Sequence, residues 1–125
     1  MTVKIDFTKE AFGDIQKGAT FNKQFTLKNS DGTLMNLTGY SCTMHVRKSV
    51  GSSTTVLAAT SYDTNGFITL GGTAGTLQIV IPMNTTKNLP AGKFLYDLFI
   101  ISSSQVSTKL FEGSVDITES ITVIV

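Results

Sequence analysis

The 125-residue sequence has little of several residue types on which common protein classes depend. It contains no Trp, two Pro, one Cys (Cys42) and one His (His45). A lone Cys has no internal partner, which excludes a disulfide-stapled scaffold, and we expect Cys42 to be a reduced, buried residue. A chain of this length buries one sizeable core without disulfides or a structural metal. We therefore expect one domain over residues 1–125.

Charge and long apolar runs are also scarce. Ten Lys and Arg oppose nine Asp and Glu, so the chain lacks the basic excess with which a protein releases counterions from phosphates, and we expect no nucleic-acid partner. The densest apolar run, 94–101, is interrupted by Asp97 and is far shorter than the roughly 20 residues that span a bilayer. Lys4 and Asp6 interrupt the amino terminus where a signal peptide has its apolar core. We expect cytoplasmic synthesis with no signal peptide and no membrane contact.

What the sequence does contain is short apolar–polar alternation, which is typical of half-buried strands. The alternation is clear over 20–28 and 40–47, whereas 93–101 is apolar on both faces, as a central strand would be. Turn signals recur about every 8 to 12 residues. Among them, Asn65-Gly66 predicts a hairpin, and residues 84–88 have the composition of one helical turn with Asn84 or Thr85 as its cap.

This pattern gives about eight short strands and no long helix. It predicts an all-β fold, an immunoglobulin-like antiparallel β-sandwich of about 7–9 short strands, as a single domain over 1–125. Tyr96 follows the corner at 89–92, near the place where such domains have a bracing Tyr. The Cys, Trp, Cys pattern of antibody domains is absent, so the likeness is to the architecture alone.

Residues suited to catalysis are isolated from one another. His45 falls on the polar face of its alternating strand, and no Ser lies in a Gly-x-Ser-x-Gly motif. Asp97 and Glu112 are candidates for a general acid–base pair on neighbouring strands, although a surface pair is the simpler interpretation. The acidic residues lack the spacing of a calcium loop. We expect no enzymatic activity, no metal and no cofactor.

Apolar residues exceed what one core needs. Leu95, Phe99 and Ile101 lie on the second face of the central strand, and the chain ends in an apolar segment with Ile121, Val123 and Val125. Surplus apolar surface commonly marks a protein contact, and a hydrophobic edge strand aggregates unless it is paired. We predict an interface at these six residues: Leu95, Phe99, Ile101, Ile121, Val123 and Val125. The alternative is that terminal strands or loops cover them within the monomer.

Four segments share motifs with one group of proteins: DIQKGATFNKQFTLKNSDGTLMNLTGYSCTMHVRKS, NGFITL, NTTKNLPAGKFLYDLFI and LFEGSVDIT. They resemble a small immunoglobulin-like β-domain of tailed-bacteriophage virion proteins, and the resemblance covers Asp14 to about Thr122. The shared features are an Asp-Leu-Thr-Gly-Tyr-like turn, an alternating Met-x-Val-Arg strand, a Leu-Pro-Ala-Gly corner, a Tyr-Asp-Leu strand and a Glu-Gly-x-Val return. Two positions depart from the usual pattern, Asn36 where Asp is more common and Phe94 where Tyr is.

The resemblance implies a virion structural role with no catalytic residues. It favours a head decoration or cement protein, present in many copies or as a homo-oligomer and bound to other virion proteins. Two alternatives stay open. One is a baseplate or tail accessory subunit, and the other is an adhesion module that binds host glycans, for which Tyr62 and Asp63 are the candidate site. The expected location is the virion, after synthesis in the host cytoplasm.

Overall fold

The computed structural model describes residues 3–4, 14–49, 51, 54–62 and 66–119, with only the backbone described at 3, 4 and 111. Within these ranges the chain forms ten strands, one short α-helix and one 3-10 turn. In chain order they are β1 (Val3–Lys4), β2 (Ile15–Gln16), β3 (Phe21–Thr26), β4 (Lys28–Asn29), β5 (Ser41–Arg47), β6 (Thr55–Thr60), β7 (Ile68–Leu70), the 3-10 turn (Gly72–Ala74), β8 (Thr76–Ile81), α1 (Met83–Thr86), β9 (Gly92–Ile101) and β10 (Ser107–Thr118).

Eight of the described strands form two sheets. The larger sheet has the order β2-β10-β9-β5-β6, and the smaller has the order β3-β8-β7, while β1 pairs only with β4. Neighbours in both sheets are antiparallel except β10 and β2, which run parallel through Ile117↔Ile15 and Thr118↔Gln16. The antiparallel sandwich thus contains one parallel pair, at this edge.

The strand order is that of the immunoglobulin fold. The positions of β3, β8 and β7 correspond to strands B, E and D of that fold, and those of β10, β9 and β5 to strands G, F and C. Strand β6 adds beside β5, as the C′ strand does in variable-type domains. The predicted all-β, immunoglobulin-like β-sandwich of about 7–9 short strands is confirmed.

The core lies between the two sheets and follows from the period-two alternation. Strand β5 alternates between half-buried and buried residues along its whole length, and so does β8. In β9, every second residue from Phe94 to Ile100 is buried. Each fully buried Leu or Ile contributes about 1.5–3 kcal/mol relative to an exposed one. The side chains with no solvent-exposed surface include Cys42, Met44, Val46, Leu77, Ile79, Ile81 and Leu98.

The prediction of a hairpin at Asn65-Gly66 is wrong. Strand β6 pairs with β5 in the larger sheet, whereas β7 pairs with β8 in the smaller one, so the chain crosses between sheets here. Thr60 and Phe67 meet only in an isolated parallel bridge. A Cβ atom at Gly66 would overlap the carbonyl oxygen of Thr60. The glycine is required because two backbone segments approach closely, and residues 63–65 lie outside the described residues.

The helical turn is present, but its predicted cap is wrong. Helix α1 begins after Pro82, which takes the N-cap position without a side-chain hydrogen bond, so Asn84 and Thr85 lie inside the helix. The helix is anchored through its last residue. The fully buried Thr86 hydroxyl donates to the carbonyl oxygen of Ala19 at 2.9 Å and accepts from the amide of Gly18 at 3.2 Å.

Two leucines on the same strand test this division into faces. Leu98 is fully buried, whereas Leu95 is 38% exposed. We expect Leu98→Ala to lower the free energy of unfolding by about 2–5 kcal/mol, because it leaves a cavity in the core. The matched change Leu95→Ala should cost less than about 1 kcal/mol. Urea unfolding of the two variants measures both values, and equal losses would contradict the placement of β9.

Candidate protein-contact surface

The outer face of the larger sheet presents two rows of side chains that cross β5, β9 and β10. The strand register fixes their members. The Phe99 row consists of Thr43, Phe99 and Lys109. The Asp97 row, next along the strands, consists of His45, Asp97 and Glu112. All six residues line one shallow groove of about 540 Å³, together with Arg47 and Leu95 among others. We call this surface the outer face.

Three of the six predicted interface residues lie on the outer-facing side of β9. Leu95 is 38% exposed, and Phe99 and Ile101 are half-buried. They alternate with the core residues of the strand and follow the middle of the outer face, with Asp97 between Leu95 and Phe99. We call these three apolar residues the apolar line. The other three, Ile121, Val123 and Val125, lie outside the described residues. Whether these six residues contact a partner stays a prediction.

An ion pair holds one cation over this apolar line. Lys109 Nζ lies 2.6 Å from Glu112 Oε1 and 5.7 Å from the centroid of the Phe99 ring. The hydrogen bond and the charge of Lys109 lower the pKa of Glu112. In return, the hydrogen bond and charge of Glu112, with a smaller contribution from Asp97, raise the pKa of Lys109. Both groups are therefore charged at neutral pH.

The two residues of this ion pair share a face because β10 is irregular. Residues three apart in a regular strand point to opposite faces. The register of β10 against β9 shifts between Lys109 and Phe111, which leaves Leu110 as an extra residue. This β-bulge returns Lys109 to the same face as Glu112. Sequence reasoning missed the pair because no local pattern in 107–112 indicates the bulge.

The acid–base hypothesis for Asp97 and Glu112 is correct about position. The two residues are directly opposed on β9 and β10, as the hypothesis requires. A general acid, however, needs a raised pKa. Because Lys109 lowers the pKa of Glu112, the geometry favours the interpretation as a surface pair.

His45 lies in the same row but is turned toward its own strand. Its Nδ1 atom is 3.2 Å from the Nη2 atom of Arg47, two residues along β5. Arginine can only donate, so Nδ1 accepts and the ring proton lies on Nε2. Among the described residues, no group of three or more His, Cys, Asp or Glu side chains is arranged to hold a metal ion.

The remaining sequence candidates lie elsewhere. Cys42 is buried, as expected, and burial raises the pKa of its thiol to about 12, so the reactive thiolate does not form at neutral pH. Tyr62 is 64% exposed, while Asp63 lies outside the described residues. Tyr96 is buried on the core side of β9, and this burial raises the pKa of its hydroxyl. Its role in bracing the corner stays a prediction. No helix in the described part of the chain is long and apolar enough to cross a membrane.

Comparison with known proteins identifies no family. No family model matches the sequence, and no curated protein does. Among solved structures, murine CRIg is similar over 96% of this chain and 99% of its own, with 12% identity and a TM-score of 0.39. Domains 3–5 of Drosophila OTK are similar over 94% of this chain, with 15% identity and a TM-score of 0.35. This chain spans 35% of the OTK chain. The fold assignment here rests on strand order, and we draw nothing about function from these likenesses.

The Lys109–Glu112 ion pair can be tested by titration. We expect Lys109→Met to raise the pKa of Glu112 toward its ordinary value, because the hydrogen bond and the positive charge are both lost. A carboxyl group whose pKa is lowered by folding stabilises the folded state at pH values above its ordinary pKa. This stabilisation is lost as the pH falls through the lowered pKa. Carbon-detected NMR of the Glu112 carboxyl measures the shift. Lys28→Met, an exposed lysine on β4, is the control and should leave Glu112 unchanged. An unaltered Glu112 titration in Lys109→Met would contradict the pairing.

Proposed function

We propose that this chain is a non-enzymatic structural protein of a bacteriophage virion, foremost a head decoration or cement protein. It binds other virion subunits through the outer face of its larger sheet. One observation supports a binding role above others, which is the apolar line of Leu95, Phe99 and Ile101 along the outer side of a central strand. The phage assignment rests separately on the resemblance of the sequence segments.

The local structure of those segments is compatible with the resemblance. In the turn before β5, the side-chain oxygen of Asn36 accepts a hydrogen bond from the amide of Thr38 at 3.0 Å. An Asp at this position would accept in the same way, so the departure at Asn36 leaves the turn chemistry intact. Gly39 has φ = +83°, which explains why the motif has glycine there. The buried Leu89 anchors the corner that leads into β9.

The mixed composition of the outer face fits modest contacts repeated over a lattice. Exposed ion pairs such as Lys109–Glu112 add little affinity individually, because water and salt screen them. The apolar line is narrow, so one contact buries little surface. A symmetric shell compensates by holding many such contacts at once, which raises the effective affinity of each.

The location of the protein decides between the virion roles. We expect mass spectrometry of separated heads and tails from purified particles to find the chain in the head fraction. Its presence in tails alone would replace the decoration role with a baseplate or tail accessory role. Its absence from particles would reject every virion role proposed here.

A glycan-binding adhesion module is the second candidate, favoured by one observation. Tyr62 is 64% exposed next to β6, and sugar sites commonly place an exposed aromatic ring beside polar acceptors. On this hypothesis, a glycan array probed with the purified protein should show binding that Tyr62→Ala reduces at least about tenfold. Binding that is undiminished in Tyr62→Ala would reject this site, and the absence of any bound glycan would reject the adhesion role.

A further inference from the structure

The outer face is electrically balanced. Its two cations, Arg47 and Lys109, match its two anions, Asp97 and Glu112, and His45 accepts a hydrogen bond from Arg47 as a neutral ring does. A strongly charged partner gains little from such a surface. A partner that carries a cation and an anion in the same arrangement as Lys109 and Glu112 can instead place each of these two charges opposite its counterpart. A second copy of this chain has that arrangement.

The strand register shows how two copies would fit. A two-fold axis that runs across the strands, between the Phe99 row and the Asp97 row, places each row of one copy over the other row of the second copy. Each strand then faces the same strand of the second copy, in the opposite direction. Lys109 of each copy meets Glu112 of the other, and the contact occurs twice because the arrangement is symmetric.

The apolar residues fit the same operation. Leu95 and Ile101 lie at equal distances from the axis along β9, each one row beyond the two central rows. The axis therefore places Leu95 of each copy against Ile101 of the other. These Leu95–Ile101 contacts close the two ends of the paired surface, while at its centre Phe99 of each copy lies over Asp97 of the other.

Asp97 lies at the centre of this arrangement. It is half-buried in the groove, close enough to Lys109 of its own chain for its charge to raise the pKa of that lysine. Across the axis it lies opposite Phe99 of the second copy, between Thr43 and Lys109 on the two flanking strands. The second copy thus brings a further cation near a half-buried carboxylate.

We propose that the outer face is a self-association surface, on which a second copy of the chain packs antiparallel and exchanges Lys109–Glu112 ion pairs. This inference rests on the proposed function in that it names the partner for the same surface. A patch three strands wide, with strands about 4.8 Å apart, and as long as the seven residues of β5 at about 3.3 Å per residue has an area of roughly 350 Å². Stable interfaces use about 800 Å² per partner. The pairing is therefore weak in dilute solution and becomes occupied at the high local concentration of an assembly.

Sedimentation velocity of the whole chain tests the pairing, from about 10 µM to about 1 mM in low salt. We expect the wild-type chain to shift from monomer to dimer within this range, and the shift to weaken in 1 M salt, where charges are screened within about 3 Å. Lys109→Glu and Glu112→Lys should each weaken self-association at least about tenfold, since each puts like charges across the axis. An equimolar mixture of the two variants should associate at least as well as wild type, because both cross-axis contacts become attractive again.

Matched variants separate this effect from damage to the fold. Lys28→Glu makes the same charge change on an exposed lysine of β4, and should leave association unchanged. Leu95→Ser should weaken association at least about tenfold, whereas Leu34→Ser, at a residue that is 50% exposed elsewhere, should have no effect. Circular dichroism confirms that each variant is folded. If one single-charge variant fails to fold, the double exchange Lys109→Glu/Glu112→Lys replaces it and should associate like wild type.

Three outcomes would overturn the inference. They are a wild-type chain that is monomeric at every concentration, charge variants that associate as wild type does, and a mixture that associates no better than its components. Because the measurement uses isolated protein, its result is independent of the presence of the chain in virions. A monomeric chain found in phage heads would reject self-association and retain the proposed function. A chain that dimerises but is absent from particles would retain self-association and reject the proposed function.

Discussion

The structure depends on the position of β9 in the middle of the larger sheet. This strand is hydrogen-bonded to β5 on one side and to β10 on the other, so its successive side chains must point to opposite faces of the sheet. One set fills the space between the sheets, with Phe94, Tyr96, Leu98 and Ile100 all buried. The other set is turned outward whatever its polarity. An apolar line on the outside is thus a direct consequence of a central strand that is apolar on both faces.

Local alternation was enough to predict most of the fold. Residues 41–47 and 93–101 lie in strands with the predicted inward and outward faces, because burial of one face strongly specifies which residues point inward. The errors fall where distant segments decide the local structure. The sequence predicts Gly66 as a turn residue. In the structure, glycine is required at this position because the backbone of Thr60 passes close to it as the chain changes sheets. The parallel edge pair at Ile15 and Ile117 likewise depends on contacts between the two ends of the fold.

The candidate surface was predictable in part for the same reason. The outward position of Leu95, Phe99 and Ile101 follows from counting residues along one strand. The charged rows do not, since they depend on the register between strands and on a bulge at Leu110 that no short-range pattern marks. The ion pair between Lys109 and Glu112 exists only because of that bulge. The arrangement of the charged residues is thus set by tertiary structure, whereas the positions of the apolar residues can be predicted from the sequence of one strand.

The central claim is that two copies of this protein pair through the outer face of β5, β9 and β10. The most direct test is a dilution series of amide NMR spectra of the uniformly labelled chain, from about 1 mM to about 20 µM. The account predicts concentration-dependent shifts that concentrate at Thr43, His45, Leu95, Asp97 and Glu112, with residues of β3, β8 and β7 unchanged. Shifts centred on the smaller sheet, or spectra that do not change on dilution, would contradict it.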